Sequence, residues 1–178
     1  CMDIKGVSKS AAEDVHMGVP DREALRLMCA AANLEIETIS WGDFKVAYCQ
    51  GWEHKIGAEE LAVLRDPETG ELVLYFMDGE IYGKQPAGKR FKDKVEDKME
   101  GNDFTECANI ASVYVKENAL GYIYVDDPMV CARGKTLKES MQVEAEIWVY
   151  IGQHFDMKGE YTRSTQETPG DFLSMRMS

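Results

Sequence analysis

The chain has few of the residues that usually announce chemistry. Its three histidines, His16, His54 and His154, are widely separated and lack metal-ligand spacing. Its five cysteines, Cys1, Cys29, Cys49, Cys107 and Cys131, contain no C-x-x-C pair, so neither a zinc knuckle nor a dithiol redox motif is signalled. Their odd number and wide spacing read as free thiols in a reducing cytoplasm. No metal and no cofactor is expected. No apolar run approaches the roughly 20 residues that span a bilayer. The first residues, CMDIKGVSKSAAEDV, show no apolar signal-peptide core. Internal repeats and low-complexity segments are absent. Basic charge is also scarce: 20 Lys and Arg stand against 32 Asp and Glu, a net charge of −12. That balance disfavours binding to nucleic acid or anionic membrane. It leaves plain solubility, a basic protein partner, or mimicry of nucleic-acid charge.

What is present reads as one domain over 1–178, of class α+β: N-terminal helices, then a mainly antiparallel, curved sheet with one helical insertion at about 89–99. The helical segment covers 1–33. Ser10 and Glu13 match a capping box, Gly18 and Pro20 stop that helix, and Asp21 caps a second from Arg22 to about Ala32. From Leu34 the period becomes two. LEIETIS and FKVAYC suggest a hairpin about Trp41-Gly42-Asp43. LAVLRD-PETG-ELVLYFM-DG-EIYG suggests a three-strand meander ending near 84, with turns at Asp66–Gly70 and Asp78-Gly79. A loop and basic helix fill 85–102, with Phe91, Val95 and Met99 at i, i+4, i+8. The half from 103 to 167 reads as strands at 108–116, 121–125, 129–132, 139–151 and 160–165. Asp126-Asp127-Pro128 reads as a turn, and the tail 168–178 is expected to dock through Phe172, Leu173 and Met175.

The strand expected over QVEAEIWVYI puts Val143, Ala145, Ile147, Val149 and Ile151 on a core face. Glu144, Glu146, Trp148 and Tyr150 fall opposite, with the two carboxylates about 7 Å apart. Adding Tyr114, Tyr122 and Tyr124 from neighbouring strands gives an aromatic sheet face, a type of surface suited to interfaces and pockets. The leading expectation is a non-catalytic binding protein that self-associates through this face as a homodimer. The alternative is a carrier or enzyme with an aromatic-lined pocket for an amphipathic or cationic small molecule, acidic at its mouth. Size and charge also match small acidic accessory proteins of bacteria or phages, such as immunity proteins.

GKQPAGKR carries the G-x-x-x-x-G-K spacing of a phosphate-binding loop. Arg90, however, stands where Ser or Thr would ligate Mg²⁺, and the preceding strand belongs to a hairpin rather than a βαβ unit. The stretch therefore reads as a Gly/Pro connection into a basic helix. Lys84, Lys89 and Arg90 are its candidate contacts for an anion.

Overall fold

The computed structural model describes residues 22–32, 36–51, 61–76, 80, 82, 87–164, 170–172 and 175–177. In chain order the elements are α1 (Arg22–Ala31), β1 (Glu37–Trp41), a short 3-10 turn (Ala47–Gln50), β2 (Leu61–Arg65), β3 (Leu72–Phe76) and α2 (Ala87–Glu100). Then come β4 (Thr105–Glu106), β5 (Val113–Lys116), β6 (Ala119–Tyr124), β7 (Asp127–Arg133), α3 (Leu137–His154), β8 (Thr162–Ser164), β9 (Gly170–Phe172) and β10 (Met175–Met177). The class is α+β with antiparallel pairing throughout. The chain groups into two compact units, 1–16 with 48–94 and 17–47 with 95–178, the division falling within α2.

The second unit is built on a six-stranded sheet in the order β4-β5-β6-β7-β1-β8. Residues paired across antiparallel strands share a face, so the register sorts the sheet into rows. One row runs Tyr114, Gly121, Val130, Ser40, Arg163. The adjacent row, on the other face, runs Val113, Tyr122, Met129, Trp41, Thr162. α1 serves the second face: its Ala24 and Leu25 join Ile39, Val113, Tyr122, Met129, Cys131 and Phe172 in one apolar cluster. The Trp41 and Phe172 rings, 5.8 Å apart, bring β9 onto the same side. The first face is covered by α3, which packs on β7 and β1. Met99 and Phe104 add cover there, because a side chain at Gly121 would meet Met99 Cε at 2.9 Å. The sheet is thus covered on both faces, which is why neither face shows the alternation of a half-wet sheet.

The first unit contains the β2–β3 hairpin, with its turn at Asp66–Gly70. Asp66 Oδ1 accepts from the Glu68 and Thr69 amides at 2.8 and 2.9 Å, and Gly70 takes a φ of 74°. In this unit Tyr48 packs on Tyr82 and Phe91, at 5.1 and 6.3 Å between ring centres. Lys94 Nζ caps the Gln50 carbonyl at 2.9 Å.

Helix α1, the hairpin at 61–76 and helix α2 follow the sequence pattern closely. Phe91, Val95 and Met99 are all buried, as a stripe at that spacing requires. Five expectations are corrected. The three-strand meander keeps two strands: Glu80 and Tyr82, from the expected third, are not in a strand, and β2 and β3 form a two-stranded sheet. The segment 139–151 is not a strand but part of the 18-residue helix α3. LEIETIS does not pair with FKVAYC: β1 lies between β7 and β8, and Phe44 makes only an isolated bridge to Met157. The DDP turn sits one residue earlier, at Val125-Asp126, with Val125 at φ 55° and Pro128 already in β7 opposite Ile123. The strand expected over 108–116 is shortened to β5, with β4 before it. The capping box at Ser10, the Asp78-Gly79 turn and Leu173 lie outside the described residues. Phe172, in the tail, is buried as expected.

Cys131 lies under α1 in the apolar cluster. Burial, with some help from Glu37, pushes its thiol up from 9.0 to about 12. Its neutral form is therefore favoured in the fold, and that stabilisation is complete below pH 9, then lost as pH rises from 9 towards about 12. We expect native Cys131 to resist thiol-specific labelling at pH 8 and to react once urea unfolds the chain, read by mass spectrometry of the labelled peptide. We also expect the urea midpoint to fall as the buffer is raised above pH 9.

Candidate functional site

Helix α3 begins at a cap that the chain spells out. Thr136 is the N-cap, its hydroxyl accepting from the Glu139 amide at 3.3 Å. Glu139 Oε2 reaches back to the Lys135 amide at 2.8 Å. Thr136-Leu137-Lys138-Glu139 fits the S/T-x-x-E pattern of a capping box, with the glutamate's return bond made to the amide one residue before the cap. One turn on, Ser140 is fully buried; its Oγ donates to the Ile36 carbonyl and accepts from the Gly134 amide. The buried residues of the helix are Ser140, Glu144, Ile147, Trp148 and Ile151, the i, i+4, i+7, i+8, i+11 pattern of one helical face.

That face meets the sheet row containing Ser40 and Arg163. Trp148 Nε1 donates to Ser40 Oγ at 2.7 Å. One turn earlier, Glu144 forms an ion pair with Arg163, the residue opposite Ser40 on β8. Two side chains one helical turn apart therefore grip two neighbouring positions of one sheet row. Glu144 is 0% exposed and Arg163 23%. Burial pulls the Arg163 pKa down, but the hydrogen bond and charge of Glu144 outweigh it and raise the value, so the guanidinium stays charged. Glu144 Oε1 has no hydrogen-bond partner among the described residues.

Outside this clamp lies an open groove of about 540 Å³. Trp148, Ala145 and Val149 of α3 form one wall. The loop after α3 supplies Met157, Gly159, Glu160 and Tyr161, and Arg163 closes the floor. The Trp148 and Tyr161 rings are stacked, 5.0 Å between centres and 6° from parallel. Arg163 Nη2 donates to Tyr161 Oη at 3.3 Å, and its guanidinium carbon lies 5.8 Å from the Tyr161 ring centre. Gly42 permits the close approach of this loop, since a side chain there would meet Met157 Cε at 2.6 Å and the Trp148 ring at 3.2 Å.

The residues expected to form one aromatic face are dispersed. Tyr114 and Tyr122 are both buried but on opposite faces of the sheet. Burial and then Glu106, Glu96 and Glu100 push the Tyr114 phenol upward. Tyr124 is half-buried against the α1 cluster. Tyr150 turns away from Trp148 and lies against His154, 4.6 Å between ring centres. Glu146 is exposed and accepts from Gln142 at 3.1 Å, while Glu144 is buried. The two carboxylates share no face because residues two apart on a helix point roughly 160° away from each other. Of that set only Trp148 lines the groove; Glu144 lies buried behind it as the partner of Arg163. Tyr161 and Arg163 were missed, although they stand at i and i+2 at the edge of an expected strand, a spacing that puts both on one face.

Of the basic loop, Lys84 lies outside the described residues. Lys89 pairs with Asp93 at 2.7 Å, and Arg90 pairs with buried Glu80. Gly88 and Lys89 lie inside α2, and the strand before them, β3, runs antiparallel to β2. The described residues hold no group of three or more His, Cys, Asp or Glu arranged to take a metal ion. No helix among them is long and apolar enough to cross a membrane. No protein-family model matches this chain, and no curated protein sequence matches it.

The clamp has a measurable cost when broken on one side. Arg163→Met leaves a fully buried carboxylate without its counter-charge, so we expect a loss of about 3–5 kcal/mol in urea unfolding. Glu144→Leu combined with Arg163→Met should recover most of that loss, because the double variant buries no charge. Equal and additive losses in the two single variants and their combination would show that the pair is not coupled.

Proposed function

We propose that the protein is a binding protein whose groove between α3 and the β8 approach takes a flat, amphipathic small molecule bearing a hydrogen-bond acceptor. The observation that carries this reading is the parallel Trp148–Tyr161 stack beside the Arg163 guanidinium. Aromatic walls supply apolar contact area at low entropic cost, and a few fixed polar groups set orientation. The groove volume falls within the roughly 300–1,000 Å³ range of small-molecule sites.

The geometry favours an acceptor over a cation. Arg163 faces the groove, and its side-on edge, Nε with Nη2, is engaged by Glu144 and Tyr161. Nη1 has no partner among the described residues. A carbonyl or carboxylate of a ligand can take that donor, whereas an ammonium would meet a like charge. A binding role follows more naturally than acid–base catalysis, since the cation at the groove floor, Arg163, is held by Glu144 buried behind it. Glu160 is exposed at the rim.

Aromatic carboxylates, aromatic amides and aromatic amines distinguish these chemistries when titrated by ligand-observed NMR. We expect carboxylates or amides to bind and amines to give no response. Tyr161→Ala removes half of the stack, and affinity should fall about 3- to 10-fold, the size of one lost aromatic contact. Binding of amines alone, or binding that Tyr161→Ala leaves unchanged, would sink this reading.

A further inference from the structure

The β2–β3 hairpin is apolar on both faces, which is unusual for a strand pair standing in water. Its register pairs Leu61 with Phe76, Val63 with Leu74, and Arg65 with Leu72, placing all six on one face. Five of them are large apolar residues, and all five are exposed, Leu72 and Phe76 to 66% each. Leu64 and Tyr75 on the opposite face are exposed as well. Among the described residues the hairpin forms a two-stranded sheet of its own. A lone two-stranded hairpin is at best marginally stable in water, and it normally needs further strands or a covering element.

We propose that this face is a self-association surface, occupied by the same face of a second copy of this chain. Charge is the first reason for choosing a second copy. Each chain carries −12, so two copies repel wherever their acidic surfaces meet. The Leu61/Val63/Leu74/Phe76 face carries no acid; its one charge is Arg65, tied to the Gly70 carbonyl. The acidic residues of the hairpin, Asp66, Glu68 and Glu71, cluster at its turn, beyond the patch. Area is the second reason. The five side chains, each about half to two-thirds exposed and adjacent across the two strands, form one contiguous apolar patch of the kind that marks interaction surfaces and that a standard interface of roughly 800 Å² per partner is built on. A two-fold pairing covers this face in each copy and closes on itself. The hairpin belongs to the unit 1–16 with 48–94 and the groove residues belong to the other unit, so the two proposals rest on different residues and are tested by different variants.

Sedimentation equilibrium of the full chain across the micromolar range tests it. The expected mass is twice 20.1 kDa. Val63→Lys and Leu74→Glu should each return the mass to that of one chain, with the far-UV circular dichroism unchanged. Leu27→Glu alters an exposed apolar residue on α1 and should leave the dimer intact. Amide exchange over 61–76 should slow as wild-type concentration rises. A wild type that stays at the mass of one chain throughout overturns the proposal. So does a dimer that survives both hairpin variants, or exchange over 61–76 that is independent of concentration, which would place the cover in the chain itself or in a different protein.

Discussion

Burying Glu144 constrains much of the larger unit. A carboxylate with no solvent exposure is held only if a cation reaches it, and Arg163 is that cation. Meeting the requirement draws β8 alongside β1, because Arg163 sits opposite Ser40 in the register. It also fixes how α3 is rotated on the sheet, because Trp148, one turn on, then finds Ser40. Helix position, strand order at that edge and the stacked Trp148–Tyr161 wall all follow from one pair of opposite charges that cannot be separated cheaply. Glu37 and Arg133 repeat the device on the other side of β1, as a cross-strand ion pair between registered neighbours.

The same arrangement explains the composition of the strands. With α1 on one face and α3 with Met99 and Phe104 on the other, the strands have little wet surface left. Tyr114 and Tyr122 are both buried although they point in opposite directions. Tyrosines on strands first suggested an aromatic surface; the register shows them as parts of two separate cores. In the other unit the hairpin is the reverse case: large apolar residues on strands that stay exposed.

Much of the architecture was legible because it is local. The Asp66–Gly70 turn, the i, i+4, i+8 stripe of α2 and the Arg22 start of α1 each depend on residues a few positions apart. The misreading of 139–151 shows where local reading fails. Val143, Ala145, Ile147, Val149 and Ile151 do alternate, but Ser140, Glu144, Ile147 and Ile151 fit a helix equally well, and periodicity alone does not separate the two. Thr136 and Glu139 held the deciding signal, since a capping box marks a helix start and a strand has no use for one. The length of the run pointed the same way, well beyond the usual 4–8 residues of a strand.

From its sequence alone, this protein is an acidic α+β chain with free thiols, an antiparallel sheet, an apolar hairpin at 61–76 and a basic helix after it. These follow from charge count, turn chemistry and short-range periodicity, which act over a few residues and need no partner to be satisfied. Tertiary structure alone decided that β1 lies between β7 and β8, that Glu144 is buried while Glu146 is not, and that Tyr161 and Arg163 join Trp148 in one groove. Those outcomes rest on contacts between residues more than 100 positions apart, Ser40 with Trp148 and Ser40 with Arg163 among them, where the desolvation of charge and the closing of both sheet faces choose among many pairings that local pattern permits equally.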